Sequence, residues 1–163
     1  MSYNQALIAE LKMEAASTRK MLERVPVEKN DWQPHDKSMK LGRLATHIAE
    51  VPGWVTRVMA HDELDFATAG FKSHIAASNA ELLAILDDKV NSAISLLENS
   101  TDADFDKPWT MRRGETVVFT LPKKVVLRRF AYSHHYHHRG QLSVYLRMLD
   151  VPVPGMYGPS ADD

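Results

Sequence analysis

The sequence contains no cysteine, and this absence excludes several chemistries at once. Without cysteine the chain has no disulfide, no thiolate metal ligand and no cysteine nucleophile. Any metal ion must therefore be held by histidine, carboxylate or water. Long apolar runs are missing as well, since no window approaches the roughly 18 uninterrupted apolar residues typical of a membrane-spanning helix.

The chain also has little net charge. Its formal charge is −1, its isoelectric point is about 6.7, and its basic residues are dispersed, so nothing marks a surface for nucleic acid or an anionic membrane. The N-terminus, Met1 to Gln5, lacks the basic and apolar blocks of a signal peptide. We therefore expect a cytoplasmic protein that binds neither nucleic acid nor membranes. Its 163 residues, 44% hydrophobic, suit one domain over residues 1–163.

Histidine is concentrated in one place, because four of the eight histidines lie between His134 and His138. If residues 127–149 form one α-helix, His134 and His138 fall in the middle of an apolar stripe, and His135 and His137 lie near its borders. The other members of this stripe are Leu127, Ala131, Leu142, Tyr145 and Leu149. Tyr132, Arg139, Ser143 and Arg147 point mostly away from it.

The spacing of His134 and His138 indicates a metal site. Residues four apart on a helix have Cβ atoms about 5–6 Å apart, so two imidazoles there are able to converge on one ion. Burying both without a partner costs several kcal/mol, and a shared ion removes that cost. The alternative is a histidine-rich helix face exposed to solvent. A third ligand has to come from elsewhere in the chain.

Apolar periodicity predicts four long helices joined by long connections. They run from Ser2 to about Arg24, from Ser38 or Lys40 to Ala60 with a kink at Pro52-Gly53, from Ser78 to about Asn99, and from Pro122 to Leu149. Trp109–Met111 and Thr116–Thr120 predict a small β-hairpin around Gly114. Loops or turns are expected at 27–37, 61–71 and 102–106, with an extended tail at 151–163. The predicted fold class is an all-α four-helix bundle with a possible hairpin before the last helix.

The remaining histidines carry weaker signals. His47 lies beside Leu44, Val51 and Trp54 at the edge of the second helix's apolar face, so it is either a half-buried histidine or a ligand that meets the pair on the last helix. His35 is expected at the surface. His61 and His74 have no partner at ligand spacing.

Several stretches together resemble one known family. They are Trp32–Met39, Leu41–Glu50, His134–Leu142 with Tyr145–Arg147, Val151–Pro154 and Tyr157–Asp162. Spanning nearly the whole chain, they resemble the DinB/YfiT-like superfamily of metalloenzymes. The most specific element is H-x-x-x-H-R-G-Q on the last helix, together with an earlier histidine in a Leu-x-x-His context.

The resemblance implies an up-down-down-up four-helix bundle, a homodimer and a three-histidine site for one divalent ion per chain. Carried over to this sequence, the ligands are His47, His134 and His138. Two further histidines depart from the minimal motif, so pairing of His134 with His137, or of His135 with His138, remains open.

Three neutral imidazoles leave the ion its full charge and at least one position for water or substrate, as in catalytic zinc sites. Zinc or nickel suits an all-nitrogen site best, with copper, cobalt and iron as alternatives. Glu50 and Gln141 each follow a predicted ligand by three residues, and they are candidates for a catalytic proton acceptor or for orienting the ligands. The alternative is that both face solvent.

Two functions remain open at this point. Relatives with related folds use a low-molecular-weight thiol as co-substrate, so the first is a metal-dependent enzyme, a thiol-dependent transferase or a hydrolase, that acts on a small-molecule substrate. The second is a non-catalytic metal-binding protein, associated with stress or damage, whose ion holds the helices together.

Overall fold

A computed structural model describes residues 2–70 and 73–162 of the chain. The protein is mostly helical. Its α-helices are α1 (Tyr3–Leu22), α2 (Leu41–Glu50), α3 (Gly53–Ala60), α4 (Asn79–Glu98), α5 (Asp102–Asp106), α6 (Lys123–Val126) and α7 (His134–Met148). A 3-10 turn, Val27–Lys29, follows α1, and a π-helical segment, Leu127–Ser133, joins α6 to α7. The strands are β1 (Glu63–Asp65), β2 (Pro108–Arg113) and β3 (Thr116–Pro122).

Local signals explain where the predicted helices begin and break. Ser2 caps α1, and its N–H donates to Gln5 Oε1 at 3.1 Å. The Ser78 hydroxyl caps α4 by accepting from the Glu81 N–H at 3.1 Å. The predicted kink is confirmed at Pro52, where proline supplies no N–H donor and the second helix divides into α2 and α3.

Two predicted irregular stretches contain regular structure. The acidic turn at 102–106 is the short helix α5, since the Thr101 N–H donates to Asp104 Oδ2 at 2.8 Å and so caps a first turn. The predicted loop from His61 to Phe71 contains β1. Phe71, and Asp163 at the end of the predicted tail, lie outside the described residues.

The strands form one three-stranded sheet of order β1-β2-β3. The predicted hairpin is confirmed as the antiparallel pair β2–β3, which turns at Gly114 with a φ of 56°. β1 adds a parallel strand, in which Leu64 lies opposite Met111. The all-α expectation is thus corrected to a mostly helical protein with a small sheet. Periodicity gave no sign of β1, because its hydrogen-bond partner lies far away along the chain.

Helix packing creates the core and positions the histidines. α4 packs against α1, α2 and α3, while α2 packs against α7. Buried leucines of α1, α2, α4 and α7 and buried valines of α3 lie in the core together with Phe105 of α5 and Trp109 of β2. Histidines of α2 and α7 therefore face one another across a helix–helix contact.

The predicted outward positions on the last helix are partly wrong. Tyr132 and Arg139 are buried rather than solvent-facing, and His135 is buried rather than at a border. The reason is a second neighbour, because α1 covers this side of the helix. Tyr132 Oη donates to the Leu7 carbonyl at 2.9 Å, and Arg139 Nη1 donates to the Glu14 carbonyl at 3.2 Å. A helical wheel built on one apolar stripe does not detect a face buried by polar contacts.

Candidate metal centre

The structure brings His47, His134 and His138 together, and each is half-buried. One nitrogen from each ring lies within 4.8 Å of the others, and His47 Nε2 is 3.1 Å from His134 Nε2. Nitrogens bound to one ion at about 2.0–2.1 Å in tetrahedral geometry are about 3.4 Å apart, so the nitrogens need to approach one another by at most about 1.4 Å. The donor set and its spacing therefore fit a divalent ion.

Hydrogen bonds orient the two histidines of α7. His134 Nδ1 donates to the Phe130 carbonyl at 3.2 Å, and His138 Nδ1 donates to Gln141 Oε1 at 2.7 Å. With the proton on Nδ1, each Nε2 keeps its lone pair for an ion. Gln141, predicted as a catalytic candidate, is exposed and contacts a candidate ligand.

His47 is held differently from the other two. Its Nδ1 lies 3.3 Å from Arg43 Nη2, and since arginine only donates, the proton of neutral His47 is on Nε2, directed at His134. Binding an ion through the Nε2 of His47 requires this proton to move to Nδ1 and Arg43 to turn away. Glu50, the other catalytic candidate, accepts from Arg43 Nη1 at 2.9 Å and so contacts His47 through Arg43.

Burial keeps the three histidines neutral. Burial lowers the pKa of His47, the neighbouring His138, His134 and Arg43 add to this by repelling a positive charge, and together they bring it from 6.5 to about 3. Burial also lowers the pKa of His134 and of His138. Neutral imidazole is the form that binds a metal ion, so near pH 7 none of the three has to lose a positive charge first, although His47 still has to move its proton from Nε2.

The other clustered histidines lie outside this group. The His135 ring is buried, and its Nε2 lies 2.8 Å from the Thr18 hydroxyl of α1. His137 is exposed, with its ring 5.0 Å from that of His138. Neither alternative pair, His134 with His137 or His135 with His138, therefore joins His47 in a group at ligand spacing.

The weaker histidine predictions have separate outcomes. His35 is exposed, as expected, and accepts from the Lys37 N–H at 3.1 Å. His74 Nε2 pairs with Glu81 Oε1 at 2.7 Å. His61 lines a cavity beside the histidine group, a role that sequence reasoning missed.

This cavity has a volume of about 720 Å³ and opens beside His47, between α2, α3 and α4. Its lining residues are Arg43, His47, Glu50, Val51, Gly53, Trp54, Thr56, Arg57, His61, Phe66, Ser73, Lys89 and Ser92. Only His47 and Glu50 were candidates from sequence. The others carry no shared motif, because their proximity depends on how three helices pack.

In the described parts of the chain, no helix has the length and apolarity that a membrane crossing requires. Two comparisons with solved structures concern the fold. A DinB-like protein of Bacillus cereus ATCC 10987 matches with a TM-score of 0.72 and 22% identity, covering 94% of this chain and 97% of that one. The DinB-like protein YjoA of Bacillus subtilis matches with a TM-score of 0.68 and 17% identity, covering 90% and 96%.

Sequence comparison gives the same family. The uncharacterized protein YrdA of Bacillus subtilis strain 168 is 25% identical over 150 residues, which is 92% of this chain and 85% of YrdA. The model of the DinB family matches residues 1–163. The resemblance drawn from the histidine motifs is thereby confirmed, and the chain belongs to the DinB family.

Proposed function

We propose that the protein binds one divalent metal ion through His47, His134 and His138, and that it is a metal-dependent enzyme acting on a small molecule. The observation that carries this proposal is the meeting of three neutral imidazoles beside a cavity of about 720 Å³. A cavity of this size is typical of small-molecule sites, and three histidines leave an ion at least one further position.

When bound, the ion supplies Lewis-acid chemistry, which activates a thiol, a water or a substrate oxygen. The side chains supply the rest. Phe130 and Gln141 orient His134 and His138 through their Nδ1 protons. Glu50 lines the cavity and accepts a proton from the reacting group once Arg43 has released it. This chemistry suits a thiol-dependent transferase or a hydrolase, with zinc or nickel as the preferred ion.

The alternative function is a non-catalytic metal-binding protein whose ion stabilises the contact between α2 and α7. The position of the histidines at a helix–helix contact supports it. The neighbouring cavity favours the enzyme, because a purely structural ion needs no adjacent space for substrate.

The proposal extends to architecture and assembly. We propose that α1, α2 with α3, α4, and the helical run from α6 to α7 form a single-domain four-helix bundle in up-down-down-up order, and that two chains form a homodimer. Family resemblance supports both statements. Light scattering at micromolar concentrations tests the dimer, and a monomer throughout contradicts it.

Elemental analysis tests the ligands. We expect one equivalent of metal in the wild type and in His137→Ala, and less than one tenth of that in His47→Ala, His134→Ala and His138→Ala. His137→Ala is the matched control, because it removes an exposed imidazole from the same helix. Full metal content in His138→Ala overturns the assignment.

Cobalt substitution separates the two functions. In an enzyme with an open position, thiols and small anions change the visible spectrum of the cobalt protein. A screen of thiols with electrophilic substrates then seeks turnover that disappears in the ligand variants. A spectrum that no thiol or anion alters, together with a large loss of melting temperature on chelation, favours the structural ion.

A further inference from the structure

Two cationic side chains line the wall of the cavity formed by α3 and α4. Arg43 and Glu50 offset each other as an ion pair, with Nη1 and Oε2 2.9 Å apart. Among the described lining residues, the other charged side chains are Arg57 of α3 and Lys89 of α4. Lys89 Nζ also lies 2.7 Å from Asp88 Oδ2, but this pair is open to solvent and contributes little energy, so a bound anion is able to compete with Asp88 for the ammonium.

Packing holds both cations in place. The Arg57 guanidinium lies over the Trp54 ring, 5.6 Å from its centroid. The Lys89 stem crosses Gly53 so closely that a Cβ there would lie 3.2 Å from Lys89 Cδ. Glycine at position 53 thus leaves room for the lysine to run along the cavity wall. A stacked guanidinium and a supported ammonium are suited to bind an anion.

Apolar side chains complete the cavity. Val51, Trp54 and Phe66 line it together with the two cations, and the histidine group adjoins it at His47. We infer that the cavity binds an organic carboxylate, with its carboxyl group at Arg57 and Lys89 and its carbon chain against the apolar wall. That the other end of this molecule presents a donor atom to the ion rests on the proposed function, whereas recognition of the carboxylate does not.

The first test uses two thiols that differ only at the remote end, 6-mercaptohexanoate and 6-mercaptohexanol. Their dissociation constants from cobalt-loaded protein are read from the visible spectrum. We expect the carboxylate to bind about tenfold more tightly at low salt, and this preference to shrink as salt screens the charges. In Arg57→Gln/Lys89→Gln the preference disappears, while the affinity for 6-mercaptohexanol and the cobalt content stay unchanged.

Lys12→Gln is the matched control, because it removes an exposed lysine of α1 that does not line the cavity. It should keep the full preference. If the double variant does not fold, Lys89→Gln alone and the salt dependence of the wild type still decide, since each must reduce the preference. Equal affinity of the wild type for both thiols, or an unchanged preference in a folded double variant, overturns the inference.

A second arm separates this inference from the proposed function. Metal-free protein is titrated with hexanoate and with hexanol, and binding is followed by the NMR signal of the Trp54 indole, assigned with Trp54→Phe. Absence of cobalt binding contradicts the proposed function alone. Carboxylate recognition is then judged by this arm, in which tighter binding of hexanoate supports it and equal binding of the two overturns it.

Discussion

Arg139 of α7 and Glu14 of α1 form a buried ion pair, with Nη2 2.5 Å from Oε2 and with side chains 3% and 8% exposed. Tyr157 joins this pair, because its hydroxyl donates to Glu14 Oε2 at 2.9 Å and accepts from Arg139. The pair therefore links α1, α7 and the C-terminal segment behind the histidine group.

Breaking this pair should destabilise the fold strongly. Arg139→Met leaves the Glu14 carboxylate buried without its cation, and we expect a loss of about 3–5 kcal/mol in the free energy of unfolding. The control is Arg147→Met, which breaks the pair with Asp162, where the side chains are 52% and 23% exposed, and should cost less than about 1 kcal/mol. Urea unfolding measures both, and equal losses would contradict the assigned role of burial.

Two glycine-to-alanine changes should have opposite effects on the free energy of unfolding. At Gly42 a Cβ would lie 2.6 Å from Asn30 Cγ, so Gly42→Ala should destabilise the protein by about 1–3 kcal/mol. A Cβ added at Gly140 would meet no described atom within 4 Å beyond its own stretch of helix backbone. Gly140→Ala should therefore stabilise α7 by up to about 1 kcal/mol through helix propensity. Thermal unfolding compares the two. A lower melting temperature for Gly140→Ala would contradict the open surroundings of Gly140.

Acid should destabilise the metal-free protein. Burial lowers the pKa of His135 to about 3, whereas an unfolded histidine titrates near 6.5. Above pH 6.5 both states are neutral and this group makes no pH-dependent contribution. Below pH 6.5 the unfolded chain takes up a proton that the folded chain excludes, so stability falls, by up to about 1.4 kcal/mol per pH unit for this histidine, until the pH nears 3.

The control for this pH effect is His135→Gln, which removes the titrating group. Between pH 6.5 and 5 the unfolding free energy of this variant should fall less steeply than that of the wild type. The difference in slope should be up to about 1.4 kcal/mol per pH unit. The three histidines of the candidate site, whose pKa values are also lowered, contribute to the remaining slope. An identical slope in variant and wild type would place His135 in a more solvated environment.

Gln141 should strengthen metal binding without being a ligand. Gln141→Leu removes the acceptor of the His138 Nδ1 proton, and we expect metal affinity to fall about 10–100-fold. Gln141→Glu keeps an acceptor at the same position and should restore most of that affinity. Competition with a chromophoric chelator measures both. Equal metal affinity in Gln141→Leu and the wild type would show that Gln141 does not support His138 as a ligand.

Local signals were sufficient for much of the helical structure and for two of the three histidines of the candidate site. Ser2 and Ser78 cap helices, and Pro52 breaks one, through contacts within a few residues. His134 and His138 share a helix, so their four-residue spacing determines their separation before any packing is known. The hairpin at Gly114 was predictable for the same reason.

Contacts between segments that are distant in the chain were decided by tertiary packing. His47 meets the pair on α7 across 87 residues of chain, and the sequence of α2 alone left its role open between a half-buried histidine and a ligand. The family resemblance supplied that choice. Likewise, β1 formed only beside β2, and Arg57 and Lys89 share a cavity only because α3 packs on α4.

Burial of Arg139 and His135 shows the physical reason most clearly. A helical wheel ranks side chains by hydrophobicity, so it assigns an arginine to solvent. Here Glu14 and Thr18 on α1 offset the cost of burial with an ion pair and hydrogen bonds. Periodicity within one segment reports its apolar face, whereas a polar face is buried only when a second helix presents complementary charges and hydrogen-bonding groups.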